Sequence, residues 1–386
     1  PFLPNAQGFD FYFGIPYSND MGMASEGSKS DLGKPTPKDE PKSRAGKMNP
    51  PETGLRGSDQ PPLPMLRDGK AIARVKQGEQ QRLVADYTRE AEAFIRRSKD
   101  RPFFVYLPHF SIHTPLDARP ESLDKFKRKK PGAQHGNPLY AACLYDLDAG
   151  VGILLAKLAE LGLERDTLVV FTSDNGCSPQ ARIEELAAKG HAVNGGLRGH
   201  KADLFDGGHR VPFLVRWPAR VKPAVSDQLV CLTDIFATVA EVTGAKLPDD
   251  TAEDSFSFLP ALIGRGPSAR DSIVHHSISG AFAIRMGEWK LALAPGSGGW
   301  SAPLDPEAVK QGLPDTQLYR IGGGDLAEAN NLHRAYPDIV ARLNKLLEKL
   351  VADGRSTPGA PQANAAPVVL RKPIPAPAAK GKKKGD

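Results

Sequence analysis

Apolar residues recur along this chain with helical or strand periods, and the polar breaks between them are where chemically capable side chains collect. Over Glu79 to Ser98, Val84, Tyr87, Ala91, Phe94 and Ile95 share one face and charged residues the other, which predicts an amphipathic helix. From Tyr140 to Leu161, the residues Leu144, Leu147, Val151, Leu154, Leu155, Leu158 and Leu161 repeat at three- and four-residue steps, and Gly162 supplies a stop. Asp146 and Asp148 on that helix read as solvated or capping residues. Two continuous apolar runs, Pro102 to Leu107 and Leu168 to Phe171, have the pattern of strands buried on both faces. Strand, helix and strand in succession is the unit of a doubly wound sheet, so the expected class is α/β. A helix within 226–244, short strands at 282–285, 289–292 and 317–320, and an amphipathic helix over 339–350 predict a smaller α+β region.

These patterns divide the 386 residues into a main domain over 1–265, a C-terminal α+β subdomain over 266–352 and a tail over 353–386. Within the main domain, 23–69 is dominated by Pro, Gly, Lys and Ser without an apolar period and reads as a surface insertion. No run of the sequence suggests a membrane span. The net charge of +6 points toward nucleic acid only until it is located. From Arg355 onward there are seven basic residues and one acidic one, so the rest of the chain is neutral overall. A Pro- and Ala-rich basic tail is expected to be disordered, and no nucleic-acid-binding motif accompanies it. Cys143, Cys177 and Cys231 are odd in number and lack metal-site spacing.

Three loops carry the candidate chemistry. The run ending at Phe171 turns polar at once, with Asp174, Asn175 and Gly176. An acid and an amide at a strand's carboxyl end offer oxygen ligands to a hard cation, Ca²⁺ or Mg²⁺, and Gly176 allows a sharp turn. The run ending at Leu107 leads to His109, Ser111, His113 and Thr114, of which His113 is the stronger candidate. The glycine-rich stretches 195–201 and 206–212 carry Arg198, His200, Lys201, His209 and Arg210, a set suited to an anion. A fourth polar loop, 15–20, follows the β-prone stretch 8–14. A hard-metal pair, a histidine and a lysine in a glycine-rich turn together fit hydrolysis of a sulfate or phosphate ester.

Gly14-Ile-Pro-Tyr-Ser18, Pro102-Phe-Phe-Val-Tyr-Leu107 followed by His113, Thr172-Ser-Asp-Asn-Gly176, Leu197-Arg-Gly-His-Lys201 and Asp206-Gly-Gly-His-Arg-Val-Pro212 stand in an order that resembles the sulfatase family. The likeness runs from about residue 8 to 350 and points to the arylsulfatase A and N-acetylgalactosamine-6-sulfatase branch. The stretch Lys290 to Trp300 resembles that family's C-terminal domain. The resemblance implies an alkaline-phosphatase-like sheet flanked by helices and a Ca²⁺ site (Mg²⁺ as an alternative) to which Asp174 and Asn175 contribute. It further implies sulfate contacts from Ser18, His113 and Lys201, with His113 or Lys201 assisting protonation of the leaving group. The implied substrate is a sulfated small molecule or glycan, and a periplasmic or secreted location is expected; no oligomeric state follows. Asp206 stands where the family carries Glu and is given no catalytic role.

The chain departs from the family in one respect that governs activity. The Cys-x-Pro-Ser-Arg motif from which the formylglycine nucleophile is made does not occur in it. Cys177-Ser-Pro-Gln-Ala-Arg182 imitates that motif, with its arginine one place too far on and no serine in the fourth place. The family's first Asp-Asp metal pair and a further Lys and His are also missing. Little or no sulfatase turnover by these residues alone is therefore expected, along with an exposed sheet edge where strands are lacking. A phosphate or phosphonate monoester hydrolase, or a non-catalytic protein that binds sulfated glycans, are the alternatives.

Overall fold

The computed structural model describes residues 2–22, 63–76, 78–130 and 136–374. Residues 23–62 of the insertion expected over 23–69, and the last part of the tail, 375–386, lie outside the described residues. In chain order the elements are β1 (Phe13–Gly14), β2 (Leu63–Arg67), β3 (Lys70–Val75), α1 (Leu83–Ser98), α2 (Pro120–Lys127) and α3 (Pro138–Glu160). They continue with β4 (Val169–Thr172), α4 (Ile183–Ala188), α5 (Asp206–His209), β5 (Phe213–Arg216), α6 (Asp234–Thr243) and α7 (Leu259–Leu262). The last are β6 (Ser272–His276), β7 (Phe282–Met286), β8 (Trp289–Ala292), α8 (Asp305–Lys310), β9 (Gln317–Arg320) and α9 (Pro337–Asp353). They form two compact units, 1–167 with 178–193, and 168–177 with 194–386.

In the first unit, β1, β2 and β3 form an antiparallel sheet. Residues 63–69, expected to be part of a loop excursion, are thus a strand and a hairpin turn. Asp68 and Gly69 both have positive φ (48° and 80°), the conformation a tight two-residue turn requires. On α1 the buried residues Leu83, Tyr87, Ala91 and Ile95 recur every four positions. α1 packs on α3 where Gly150 removes a side chain, since a Cβ there would lie 2.7 Å from Thr88 Oγ1. α3 starts at an Asn137 cap whose side chain accepts from Tyr140 N at 3.0 Å, with Pro138 in the first turn.

α3 also corrects two expectations. It is long and apolar enough to cross a membrane by length and composition alone, although part of its surface is buried against α1 and α2. Asp146 is buried, not solvated: it accepts from Arg119 Nη2 (2.8 Å), Arg119 N (3.0 Å) and Ser122 Oγ (2.5 Å), joining α2 to α3.

The stretch 102–107 belongs to no strand, and its exposure alternates, with Phe104 55% and Tyr106 69% exposed. The expected strand buried on both faces is absent there. β4 is likewise only half-buried and pairs antiparallel with β5, Val169 opposite Arg216 through Thr172 opposite Phe213. The parallel pairing of a doubly wound sheet is not found among the described residues.

The second unit is built on the antiparallel sheet β6-β7-β8-β9. Alternation fixes its two faces. Phe282, Ile284, Trp289, Leu291 and Leu318 point to α9 and meet Leu343 and Leu347, whereas Ala283, Ala292 and Ala294 turn to the other face and pack on Leu204. That second face carries the loops of the candidate site. α6 is secured at its first residue, where Asp234 accepts from Cys231 N, Phe256 N and the buried Arg270.

Residues 355–374 differ from the expected disordered tail. Arg355 is buried, and its guanidinium donates to Asp249 O and Oδ1, Ala360 O, Thr357 Oγ1 and Pro358 O, while its Nε donates to Thr357 O. Leu370 packs on the cluster shared by the sheet and α9.

Candidate active site

In the second unit β4 ends in the turn 173–176. Asn175 N donates to Asp174 Oδ1 (2.9 Å), and Asn175 Nδ2 donates to Gly176 O (3.1 Å). Asp174 is exposed and Asn175 partly buried. A carboxylate and an amide oxygen on neighbouring residues suit a hard cation, which takes six to eight oxygens in the case of Ca²⁺. The turn thus fits part of such a site. No group of three His, Cys, Asp or Glu side chains suited to a metal occurs among the described residues.

The turn is locked to the glycine-rich loop that follows it. Gly176 N donates to Gly208 O (2.9 Å), Lys201 N donates to Cys177 O (2.9 Å), and Gly207 N donates to Arg198 O (2.7 Å). Asn194 crosses the assembly, accepting from Cys177 N at 3.3 Å and donating to Gly199 O at 2.8 Å. A Cβ on Gly176 would lie 1.7 Å from Gly207 O. Gly176 does not have positive φ, so it is required for close approach between two backbones and not for the sharp turn its sequence suggested. Asp174, Asn175 and Lys201 are therefore carried by one interlocked backbone.

Most of the other cations in that loop are structural. Arg198 lies 3.8 Å from the centre of the Phe205 ring and donates to Glu328 O at 2.8 Å. His200 Nδ1 approaches Lys201 O (3.0 Å), and His200 N donates to Asp203 Oδ2 (2.8 Å). His209 packs on His275, ring centres 3.7 Å apart, and burial reinforced by the Lys290 charge lowers it to about 4. Lys201 is half-exposed, and Arg210 is exposed with its guanidinium 3.6 Å from Asp206 Oδ2.

Sequence reasoning did not anticipate Lys290. On β8 it alternates with Trp289 and Leu291, so it faces the site loops and is completely buried. Its ammonium lies 2.8 Å from both Asp206 Oδ1 and Glu328 Oε1, and Glu328 Oε2 accepts from Asp206 N at 2.6 Å. Asp206 is the first residue of α5, the short helix that carries Gly207 and Gly208. Lys290 thus ties the C-terminal sheet to the glycines that seat the Asp174-Asn175 turn.

In the first unit, Tyr17 and Phe110 pack on one hydrophobic cluster with Ile15, Leu63, Leu83 and Tyr87. Ser18 follows the one and His113 lies three residues past the other, so both loops spring from the same core. Beside Ser18, buried Asn19 donates to Gln80 Oε1 (2.8 Å) and accepts from Gln80 Nε2 through its carbonyl (3.0 Å). His113 Nδ1 lies 2.7 Å from Thr114 O; a carbonyl only accepts, so Nδ1 carries the proton there. His109 lies over Tyr87 without a hydrogen bond to either ring nitrogen, and burial lowers it to about 4, which marks a neutral packed ring.

Comparison with known proteins identifies the family. The family model described as Sulfatase matches residues 3–245. An N-acetylgalactosamine-6-O-sulfatase of Bacteroides thetaiotaomicron is 33% identical over 274 residues, 69% of this chain and 51% of that protein. Human arylsulfatase A is 32% identical over 299 residues, 75% of this chain and 52% of that protein. The chain spans about half the length of these curated relatives. A solved structure from work on glycosaminoglycan metabolism by Bacteroides thetaiotaomicron superposes with a TM-score of 0.67 at 27% identity, covering 90% of this chain and 74% of that one. The architecture is the alkaline-phosphatase-like α/β fold, and the chain belongs to the sulfatase family.

Proposed function

We propose that this chain carries the sulfate-binding and leaving-group side of a sulfuric ester hydrolase acting on an aryl or carbohydrate sulfate. The observation that supports it is the interlock of Gly176 with Gly207 and Gly208, which puts the Asp174-Asn175 turn and Lys201 on one rigid backbone. A monoester's sulfate is a fixed anion whose S–O bond breaks as negative charge grows on the alcohol oxygen. The Lys201 ammonium would hold the sulfate and its bridging oxygen by charge-assisted hydrogen bonds. The family resemblance gives His113 or Lys201 the role of supplying the proton that the departing alcohol takes up, and Ser18 that of a polar contact to the sulfate. Asp174 and Asn175 would hold part of the coordination of Ca²⁺, or of Mg²⁺, which when bound offsets sulfate charge.

Formylglycine is not encoded by the residues present, and no step is derived through it. The Cys177 segment does not substitute for it: the Cys177 backbone is committed to Asn194 and Lys201. Turnover by this chain alone is therefore expected to be negligible, and binding is the proper test. Calorimetric titration of the full chain with p-nitrophenyl sulfate, in the presence of Ca²⁺, is expected to give saturable binding that Lys201→Ala weakens by roughly tenfold or more. Equal affinity for wild type and Lys201→Ala overturns the reading. Hydrolysis of the aryl sulfate at a rate ordinary for an enzyme, on the order of 1 s⁻¹ or faster, overturns the expectation of inactivity.

A further inference from the structure

A cleft of about 430 Å³ opens beside β9 in the second unit, within the size range of small-molecule sites. Its buried members, Gln317 and Tyr319 on β9 with Pro295 and Gly296, form the inner end, while Asn331 and Arg334 are exposed at its mouth. Pro295, Pro303, Leu313 and Pro314 give it apolar walls. The inner polar groups satisfy one another. Gln317 Nε2 donates to Ala294 O (2.6 Å) and Gly296 O (2.8 Å), and Gln317 Oε1 accepts from the Tyr319 hydroxyl (2.5 Å). Burial pushes Tyr319 up to about 12, so that hydroxyl keeps its proton and adds no charge.

The charges that line the cleft are of one sign. They are the guanidiniums of Arg198 and Arg334, with the imidazole of His333 next to Arg334 in sequence, and among the described residues no Asp or Glu lines it. Arg198 is fixed in place by Glu328 O, the Phe205 ring and a hydrogen bond to the Tyr319 side chain. His333 Nδ1 lies 3.1 Å from Asn331 Oδ1, which also accepts from Leu318 N at 3.0 Å and so ties His333 to β9. Arg334 makes no ion pair among the described residues. The acids closest in sequence are engaged elsewhere: Asp305 Oδ1 accepts from Gly296 N (3.1 Å) and Gly298 N (3.0 Å), Asp325 accepts from Ala329 N and Asn330 N, and Asp315 lies 3.3 Å from Arg371. A cleft lined by one sign of charge concentrates counter-ions of the other.

We propose that this cleft is a second ligand site, independent of the sulfate-ester reading above, and that it takes a small carboxylate carried on a flat apolar ring. A carboxylate pairs with the planar fork of a guanidinium through both oxygens, and Arg334 stands at the mouth to receive it. The ring displaces water from the proline and leucine walls, a gain that grows with the apolar area covered. An inorganic anion would use the guanidiniums alone, and a neutral ring the walls alone. Only an organic acid uses both.

The test is saturation-transfer NMR titration of the full 386-residue chain with benzoate and, separately, with its neutral counterpart benzamide. Benzoate is expected to bind saturably, and benzamide roughly tenfold more weakly or not at all. Arg334→Gln is expected to weaken benzoate roughly three- to tenfold. Leu313→Glu sets a carboxylate in the wall and is expected to weaken it further by repulsion. Both positions are exposed, so neither variant threatens the fold. Lys201→Ala is expected to bind benzoate like wild type. The proposal is overturned if benzoate does not saturate, if benzamide binds as tightly, or if Arg334→Gln and Leu313→Glu both bind like wild type. Loss of benzoate binding in Lys201→Ala alone would place the ligand at the sulfate-ester site, refuting the second site while leaving the sulfate reading intact.

Discussion

Lys290→Met removes the one ammonium placed between two buried carboxylates. Asp206 is 1% exposed and Glu328 0%, and each lies 2.8 Å from Lys290 Nζ. Methionine fills a similar volume, so the change isolates the charge. Deleting one partner of a buried ion pair typically costs about 3–5 kcal/mol, because the remaining charge stays desolvated. At about 2–4 °C per kcal/mol for a domain of 150–250 residues, the melting point should fall by on the order of 10 °C. Urea unfolding followed by the fluorescence of Trp289, the neighbour of Lys290 on β8, reads the unit in question.

The pH dependence of that loss supplies a sharper check. In the wild type, burial acts to raise Asp206, but the Lys290 charge, with help from His209, outweighs it and holds the carboxyl below its usual range. Glu328 is raised, by burial first and by Asp206 after it, against the pull of Lys290. Without Lys290 both carboxyls move up, so the folded variant binds protons more tightly than its unfolded chain. The penalty is then full at neutral pH and shrinks as pH falls through the raised values toward about 4, the unfolded range. Loss of the Lys290 charge also lets His209 protonate more readily, in the same direction. The gap between variant and wild type should therefore narrow on acidification, and Asp206→Asn with Glu328→Gln in the Lys290→Met background should recover part of the stability. A loss below about 1 kcal/mol, well short of the buried-pair range, or a gap that widens as pH falls, would refute this account of the cluster.

Gly176→Ala places a methyl 1.7 Å from Gly207 O, which backbone must relieve, so a loss of at least about 2 kcal/mol in urea unfolding and weaker sulfate-ester binding are expected. His109 and His209, both lowered to about 4, stay neutral when folded and charge near 6.5 when unfolded. Their neutral-state stability is present above about 6.5 and is lost as pH falls toward 4, at up to about 1.4 kcal/mol per pH unit for each. His109→Phe, which keeps the stack on Tyr87, should flatten the stability-against-pH curve between those limits, and an unchanged slope would contradict the assignment.

How much of this was legible in the sequence depended on the range of the interaction concerned. α1 and α9 are amphipathic over several turns, and the alternation at 282–292 marks two sheet faces, so local pattern sufficed. The Asp68-Gly69 turn is a strong hairpin signal, yet the prolines at 61, 62 and 64 and the polar stretch before them made its first strand read as loop. The apolar run 102–107 shows the limit of such runs: composition states that a segment can pair, and a partner distant in sequence decides whether it does. At the candidate site, residue type alone pointed to Asp174, Asn175, His113 and Lys201. The contact of Gly176 with Gly207 is tertiary and leaves no local trace. Lys290 alternates with Trp289 and Leu291 and so reads as the wet side of a strand; it is buried because the Leu204 to Gly208 segment covers that side.

Arg355 has a consequence for time and not only for free energy. Its bonds to Asp249 span 106 residues of sequence, so they form only after α9 and the segment near 249–254 have been brought together. Contacts that need so large a loop to close, and that secure a peripheral segment, are expected to be absent from the folding transition state. Such contacts hardly change how fast a chain folds, but they must be broken before it can open. The clasp at Arg355 is then expected to act as a brake on unfolding: loosening it should shorten the lifetime of the folded second unit while leaving its rate of assembly nearly as it was, as stopped-flow refolding and unfolding of Arg355→Ala would show.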